Sequence, residues 1–460
     1  MKMPNFYEVY QDQVEEQYDF GTGVSAYCSD KIEMKFNDFG EYFSSVSNSN
    51  VLSKDEIDKI TYTSLVTNSN NIDRISKTIF SELPNVKFNE KIGYYSDLYI
   101  GYVKEGEFRK NGSSGGFATW ILKELLTRNL IDGVVHVTAT NDPKKLFKYT
   151  ISRTEEELLA GAKTKYYPVE ISEALKTIRD TPGKYAVIGL PSFIMELRLL
   201  CEVDPTINER IKYMVGLVCG HQKSTRFSEL LAWQCGIKPG KLNFIDFRKK
   251  MSDSPASSYA IEVKGEKDGQ EISVTRRMKD LYGGDWGRGI FKVRASDFTD
   301  DVMNEAADIT LGDAWLPEYT KDSNGNNIII VRNPEIAKII RESIGDEKLV
   351  VDVVDSDKII QSQISHYRHT QDELAYRLYK NKQKRIWFPE QRIQPSKSIP
   401  ISRKMIQDIR EKICLQAPGY FNKAIEKDNL DYFIKKMSHL DNSYRLVYKI
   451  ERGINRISKA

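Results

Sequence analysis

The residues best equipped for chemistry stand in a few short stretches. Gly220-His221-Gln222-Lys223-Ser224 sets an imidazole two positions from an ammonium group. A histidine in such a loop can give or take a proton near neutral pH, and a lysine can neutralise a phosphate. A histidine held for structural reasons in a tight loop satisfies the same spacing. Asn111-Gly112-Ser113-Ser114-Gly115-Gly116 opens an apolar helical pattern. Glycines let a backbone approach a phosphate, and the first-turn amides and helix dipole favour an anion there. A flexible turn has the same composition. Asp313 and Trp315 close Gly312-Asp313-Ala314-Trp315; they can orient a ribityl chain or stack on an aromatic ring, or the indole can simply anchor a hairpin. His366 and His369 have the three-residue spacing of a metal pair but lack the intervening carboxylate of the metalloprotease pattern, and no C-x-x-C occurs, so no metal site is expected.

The elements that must position these groups are legible as periodicity. Asp97–Val103 has strand character, a polar loop follows, and Phe117, Ile121, Leu122, Leu125 and Leu126 share one face of a helix over residues 116–128. Gly133–Thr138 is an apolar β-branched strand, completing a βαβ-type unit. Tyr185–Leu190 is a strand running into Pro191, which suits the first turn of a helix, and Tyr213–Cys219 is a strand running into the His221–Lys223 loop. In open parallel sheets ligands sit beyond the carboxyl ends of strands, so Pro191–Phe193 and Gly220–Ser224 are placed to line one site. Past Asp253 the pattern turns β-rich, with a hairpin around Asp268-Gly269, and from Gln371 it is helical, broken by a linker from Pro389 to Pro400. The expected class is α/β (mixed α+β): a mixed sheet with a β-rich insertion and a C-terminal helical region. The expected segments are 1–90, 91–175, 176–370 and 371–460.

Composition narrows the function classes. The chain has 460 residues, 40% hydrophobic and 29% charged, with a net charge of +3, an ordinary globular make-up. Lys and Arg are dispersed, which argues against nucleic acid. No apolar run approaches membrane-spanning length. Five widely spaced cysteines read as reduced thiols, and Met1 to Asp30 lacks a signal-peptide core, so a cytoplasmic location is expected. Oligomeric state is not readable.

Several stretches in order resemble the coenzyme F420 hydrogenase/dehydrogenase beta-subunit family. They are Ser113-Ser114-Gly115-Gly116, Leu130–Val135, Ala162-Lys163-Thr164-Lys165-Tyr166, Tyr185–Pro191, Gly220–Ser224, Phe247-Arg248-Lys249-Lys250 and Ala307–Pro317. The resemblance implies a flavin, usually FAD, and four-iron clusters. Gly-His-x-Lys-Ser with Gly-Asp-Ala-Trp-Leu-Pro is similar to the branch associated with bacterial surface-polysaccharide gene sets. The chain departs from the family where cluster thiols are expected. Ser192 follows Pro191, Ser296 and Thr299 occupy the later loop, and Phe20–Cys28 is an eroded ferredoxin-like motif. Hydroxyls are poor ligands for iron held by soft thiolates, so no iron–sulfur cluster is expected.

The resemblance therefore implies a cluster-free, FAD-dependent oxidoreductase that moves a hydride to or from a small-molecule substrate. The candidate substrate is a sugar nucleotide or another glycan intermediate, and the candidate electron donor a nicotinamide or deazaflavin. On this reading Ser113, Ser114, Gly115 and Gly116 hold the pyrophosphate. Thr164, Lys165, Tyr166, Pro191, Asp313 and Trp315 contact the cofactor, His221 handles a proton and Lys223 anchors substrate phosphate. The alternative is a non-redox descendant that keeps the fold as a binding or scaffold module in polysaccharide assembly.

Overall fold

The computed structural model describes residues 18–46, 52–68 and 71–457. In chain order the strands are β1 (Ile32–Phe36), β2 (Tyr42–Val46), β3 (Lys87–Asn89), β4 (Gly93–Tyr95), β5 (Asp97–Val103), β6 (Gly133–Ala139), β7 (Phe147–Ser152), β8 (Tyr185–Gly189), β9 (Ile211–Leu217), β10 (Leu242–Lys249), β11 (Ala260–Lys267), β12 (Gln270–Arg277), β13 (Ile309–Asp313), β14 (Asn327–Val331) and β15 (Leu349–Val353). Eight of them form one mixed sheet in the order β15-β5-β14-β13-β9-β8-β6-β7.

The four central strands β13, β9, β8 and β6 run parallel. Their Val-, Ile- and Ala-rich cores are buried on both faces, as a covered parallel sheet requires. Alternation along the outer strands sorts side chains to the two faces. Tyr99 and Val103 pack with helices Phe117–Thr127 and Pro334–Gly345, whereas Leu98 and Ile100 face Ile92, Ile359 and Tyr367. Helices Ser172–Asp180 and Pro191–Val203 cover Val135, Val187 and Met214.

The βαβ-type unit expected over residues 97–138 takes a wider form. β5 and β6 point the same way, but β14, β13, β9 and β8 lie between them. Two neighbouring parallel strands and two crossing the whole sheet have the same local sequence pattern, because the pattern carries no information on what is inserted between them. β13 also begins two residues later than its apolar run, so Gly312 and Asp313 end the strand itself.

Around Asp268-Gly269 the two turn residues have φ of 52° and 80°, as a tight hairpin demands, and β11 and β12 pair there with β10 to form a second, three-stranded sheet. Phe247, Ile261 and Val263 of this sheet share a core with Leu230 and Leu231 of helix Thr225–Gln234 and with Ile413, Phe421, Phe433 and Met437. The last four belong to the long helices Ile401–Glu426 and Leu430–Ile457. The C-terminal helical region is thus packed onto the rest of the molecule through an extensive aromatic core. No helix among the described residues is long and apolar enough to cross a membrane.

Candidate active site

The Gly-rich turn follows β5 and is fixed from three sides. Ser114 Oγ donates to Asn326 O at 2.8 Å, Ser113 Oγ accepts from Thr164 N at 2.8 Å, and Lys250 Nζ donates to Ser114 O at 2.9 Å. Gly116 has φ of 90°, and helix Phe117–Thr127 starts beside it with Phe117 N donating to Asn327 Oδ1 at 3.3 Å. A Cβ on Gly115 would lie 2.6 Å from Gly101 O and 2.7 Å from Asn327 Oδ1. The glycine requirement at 115 is therefore met by packing against β5 and β14. The expected reason was room for a pyrophosphate, but on that side of Gly115 the room is already filled by protein.

What gathers next to the turn is positive charge and aromatic surface. Lys165 Nζ donates to the carbonyls of Gly161 and Ala162, and Lys250 Nζ to those of Arg109 and Ser114. Burial pushes both lysines down to about 7. For Lys165 the Asp246 carboxylate opposes that fall and Lys163 adds to it; for Lys250 the cations Arg109, Arg248 and Lys163 deepen it. The nearby acids are already engaged: Asp246 with Lys163, Asp313 with Arg248 and Asp322 with Arg109. Among the described residues Lys165 and Lys250 have carbonyl hydrogen-bond partners and form no ion pair, although Asp246 and Asp322 act on them from farther off.

Tyr166 links this basic corner to the histidine loop. Its ring lies 4.5 Å from that of Trp286 and 5.5 Å from that of Phe247, and Arg248 and Tyr259 stand near its hydroxyl. Burial holds the Tyr166 phenol well above its usual range. The Arg248 guanidinium stacks 4.8 Å over Tyr259 and 5.5 Å from the Trp315 ring. On the far side of Trp286 the His221 imidazole stacks at 4.5 Å, nearly parallel. Lys223 Nζ donates to Ile290 O at 2.8 Å and sits 4.6 Å from the Trp286 ring centre. Burial first, and then the cations Lys223 and Lys292, keep His221 neutral well below its ordinary pKa.

Pro191 opens helix Pro191–Val203 as expected, and the adjoining Ser192 meets the histidine loop. Gln222 Nε2 donates to Ser192 Oγ at 3.1 Å, and Gln222 N donates to Ser296 Oγ at 3.0 Å. Two of the three hydroxyls standing where cluster thiols were expected, those of Ser192 and Ser296, are buried and bridged by a single glutamine. Thr299 ends the short 3-10 turn Arg294–Phe298.

All the expected site residues thus fall at one edge of the sheet, in two groups joined through Tyr166 and Trp286. Trp286, Arg248 and Lys250 were not among the expected site residues. Arg248 and Lys250 had a visible signal, two cations near the end of a strand facing the Gly-rich turn. Trp286 had none, because a lone tryptophan in Gly283-Gly284-Asp285-Trp286-Gly287 reveals nothing about its distant neighbours. His366 and His369 do not converge on a common point. His366 Nδ1 meets Gln363 Oε1 at 2.8 Å and packs beside Gly220, whereas His369 turns toward His221. Among the described residues no group of His, Cys, Asp and Glu has the arrangement of a metal site.

Residues 98–176 match the family model for the N-terminal part of the coenzyme F420 hydrogenase/dehydrogenase beta subunit, and residues 183–357 match the model for its C-terminal part. The chain belongs to this beta-subunit family. The two matches cover over half the chain and take in every strand of the main sheet, the Gly-rich turn, Thr164–Tyr166, Pro191, the His221–Lys223 loop and Asp313–Trp315. His366, His369 and the long C-terminal helices lie beyond both matches. Among solved structures, a chain from the xenon-derivatised F420-reducing [NiFe] hydrogenase complex of Methanosarcina barkeri aligns at 16% identity and a TM-score of 0.48, over 64% of this chain and 96% of that one. No curated protein matches.

Proposed function

We propose that this beta-subunit relative is a flavin-dependent oxidoreductase that works without an iron–sulfur cluster on a small anionic substrate. The carrying observation is the pair of half-buried lysines, Lys165 and Lys250, which have no ion pair among the described residues and stand beside an aromatic wall of Tyr166, Trp286 and Tyr259. Buried cations are costly unless paired. An aromatic cofactor with a pyrophosphate supplies both the missing negative charge and a ring for the aromatic wall, and FAD has that chemistry. Arg248 Nε, buried and without a hydrogen-bond partner among the described residues, adds a free donor at the same place.

When bound, the flavin supplies hydride transfer. The chain's own residues do the rest. Ser113 and Thr164 tie the Gly-rich turn to the Lys165 segment, so both sides of the cofactor site move as one. Asp313 holds the Arg248 guanidinium over Tyr259. His221, neutral and stacked on Trp286, has an unpartnered Nε2 that can accept or return a substrate proton. Lys223 is placed to offset substrate charge. The bridged Ser192 and Ser296 support the cluster-free reading, since a Gln222 hydrogen-bond network fills the space between these two positions. A sugar nucleotide or related glycan intermediate is the substrate class we favour, with a nicotinamide or deazaflavin as electron donor.

The test is the visible spectrum and released-cofactor content of the full chain purified anaerobically, with iron and sulfide assayed alongside. Oxidised-flavin bands and bound FAD are expected, with iron and sulfide well below four per chain. A colourless protein that takes up no FAD on incubation would sink the flavin reading, and stoichiometric iron and sulfide would sink the cluster-free one.

A further inference from the structure

Behind the His221–Lys223 loop the C-terminal helices close over a buried basic cluster. A π-helical turn, Arg368–Asp372, presents His369, helix Glu373–Lys384 presents Arg377, and helix Ile401–Glu426 presents Arg410. Insertions of this kind within helices recur at functional sites. The His369 ring lies 6.3 Å from that of His221. Four cations, Lys223, Lys292, Arg377 and Arg410, are all buried here.

Among the described residues two carboxylates form ion pairs with them. Asp297 is paired with Lys292 and Arg377, and Glu373 is shared among Arg403, Gln407 and Arg410. Lys223 has one hydrogen-bond partner among the described residues, the Ile290 carbonyl. Three buried nitrogens have none: His221 Nε2, His369 Nε2 and Arg410 Nε. There is room beside the third of them, since a Cβ on Gly289 would meet nothing closer than Lys292 Cε at 3.8 Å and Arg410 Nε at 3.9 Å. Positive charge in excess of its ion-paired carboxylates, buried nitrogens without partners and a gap beside one of them describe a site built for an oxyanion, because structural packing alone leaves each of those costs uncompensated.

We propose that Lys223, His221, His369 and Arg410 form a phosphoryl-binding site completed by the C-terminal helices, which holds the phosphate of the substrate. The site rests on the flavin reading only in placing the substrate at His221; its chemistry is independent of the cofactor. The residues that the extension adds, His369 and Arg410, become determinants of substrate binding.

The experiment uses the full-length protein with inorganic phosphate, a hexose 1-phosphate, and chloride at matched ionic strength. It reads melting temperature and amide hydrogen exchange, with flavin content recorded on the same samples. Phosphate but not chloride should raise the melting temperature by a few degrees at an excess of roughly a hundred times its Kd. Protection should appear over residues 286–292 and 369–377. Lys223→Met and Arg410→Met should each weaken phosphate binding by at least about tenfold. Lys223→Met should also leave the ligand-free protein at least as stable, because it removes a like charge. Tighter binding of the sugar phosphate identifies a substrate group, and tighter binding of inorganic phosphate identifies free phosphate as the occupant; both support the site. Equal responses to phosphate and chloride, undiminished binding in folded variants, or protection confined to the Lys165 and Lys250 segments would overturn it. The wild-type exchange pattern decides the matter even where a variant fails to fold. Flavin lost with the phosphate response kept refutes the flavin reading alone, and the reverse result refutes this one.

Discussion

The Gly-rich turn and the His221–Lys223 loop lie at the same edge of the sheet, joined through Tyr166 and Trp286, yet their surroundings differ. The turn is held by backbone and short side chains: Ser113 to Thr164, Ser114 to Asn326, Gly115 against Gly101 and Asn327. Its partners come from within the family match. The histidine loop is held by hydrogen bonds to Ser192, Ser296 and Ile290, and it faces a cluster of like charge in which His369, Arg377 and Arg410 come from helices beyond that match. One region is a corner packed by residues within the family match. The other is a cluster whose chemistry is set by what the C-terminal helices bring. Substrate choice is therefore expected to reside in the second region and cofactor retention in the first.

The strongest challenge to this contrast is Gly115→Val. A β-branched side chain at 115 overlaps the Gly101 carbonyl and Asn327, so the turn can form only by prising β5 from β14. The expected cost is about 3 kcal/mol or more, seen as a lower unfolding midpoint in urea together with loss of FAD and phosphate responses. A variant of native stability that loses FAD alone would show that the turn is a ligand cradle after all.

His221→Asn tests the other region. Asn keeps size and some hydrogen bonding but cannot carry the proton, so turnover should fall by roughly 10²–10⁴-fold with flavin content and the unfolding midpoint unchanged. The assay is flavin reduction by nicotinamide donors and reoxidation against sugar nucleotides. Wild-type turnover would remove His221 from the chemistry, and a parallel fall in stability would return it to a structural role.

How much of this was readable in advance follows the same divide. The corner was legible because its determinants are local: Ser-Ser-Gly-Gly stands directly before an apolar helical face, and Pro191 marked a helix start beside the other region in the same way. The topology was only half legible. β14 inserts antiparallel between β5 and β13, and a buried Ile-Ile-Ile-Val run looks the same in either direction. The basic cluster was illegible. Lys292, Arg377 and Arg410 are scattered through a chain with 68 Lys and Arg and 65 Asp and Glu, and only the folded packing gathers them round Lys223, which has no ion pair among the described residues.

The smallest expected effect concerns a lysine without an ion pair at the corner. Lys165 is pushed down to about 7 in the folded protein, chiefly by burial, whereas in the unfolded chain it titrates near 10.4. Between these values the unfolded state holds more protons, so this lysine's contribution makes stability rise with pH, by up to about 1.4 kcal/mol per pH unit. Below 7 the burden of the buried charge is fully present. Carboxyls act in the opposite sense: burial pushes Glu196 up to about 8 and Glu41 to about 7, so their folded forms hold protons that the unfolded chain releases, and they lower stability as pH rises. The net slope of the wild type therefore mixes the two. Subtracting the unfolding free energies of Lys165→Met, measured in urea at pH 6.5, 7.5 and 8.5, isolates the lysine. The variant should gain most over wild type at pH 6.5, and the gain should shrink as pH rises. Saturating the protein with FAD should abolish that trend, because a pyrophosphate at the corner keeps Lys165 protonated in the folded state. If the difference between wild type and variant does not change with pH in the FAD-free protein, Lys165 is already paired. The electrostatic argument for an anionic cofactor at this corner then fails, while the case for the cluster behind His221 is untouched.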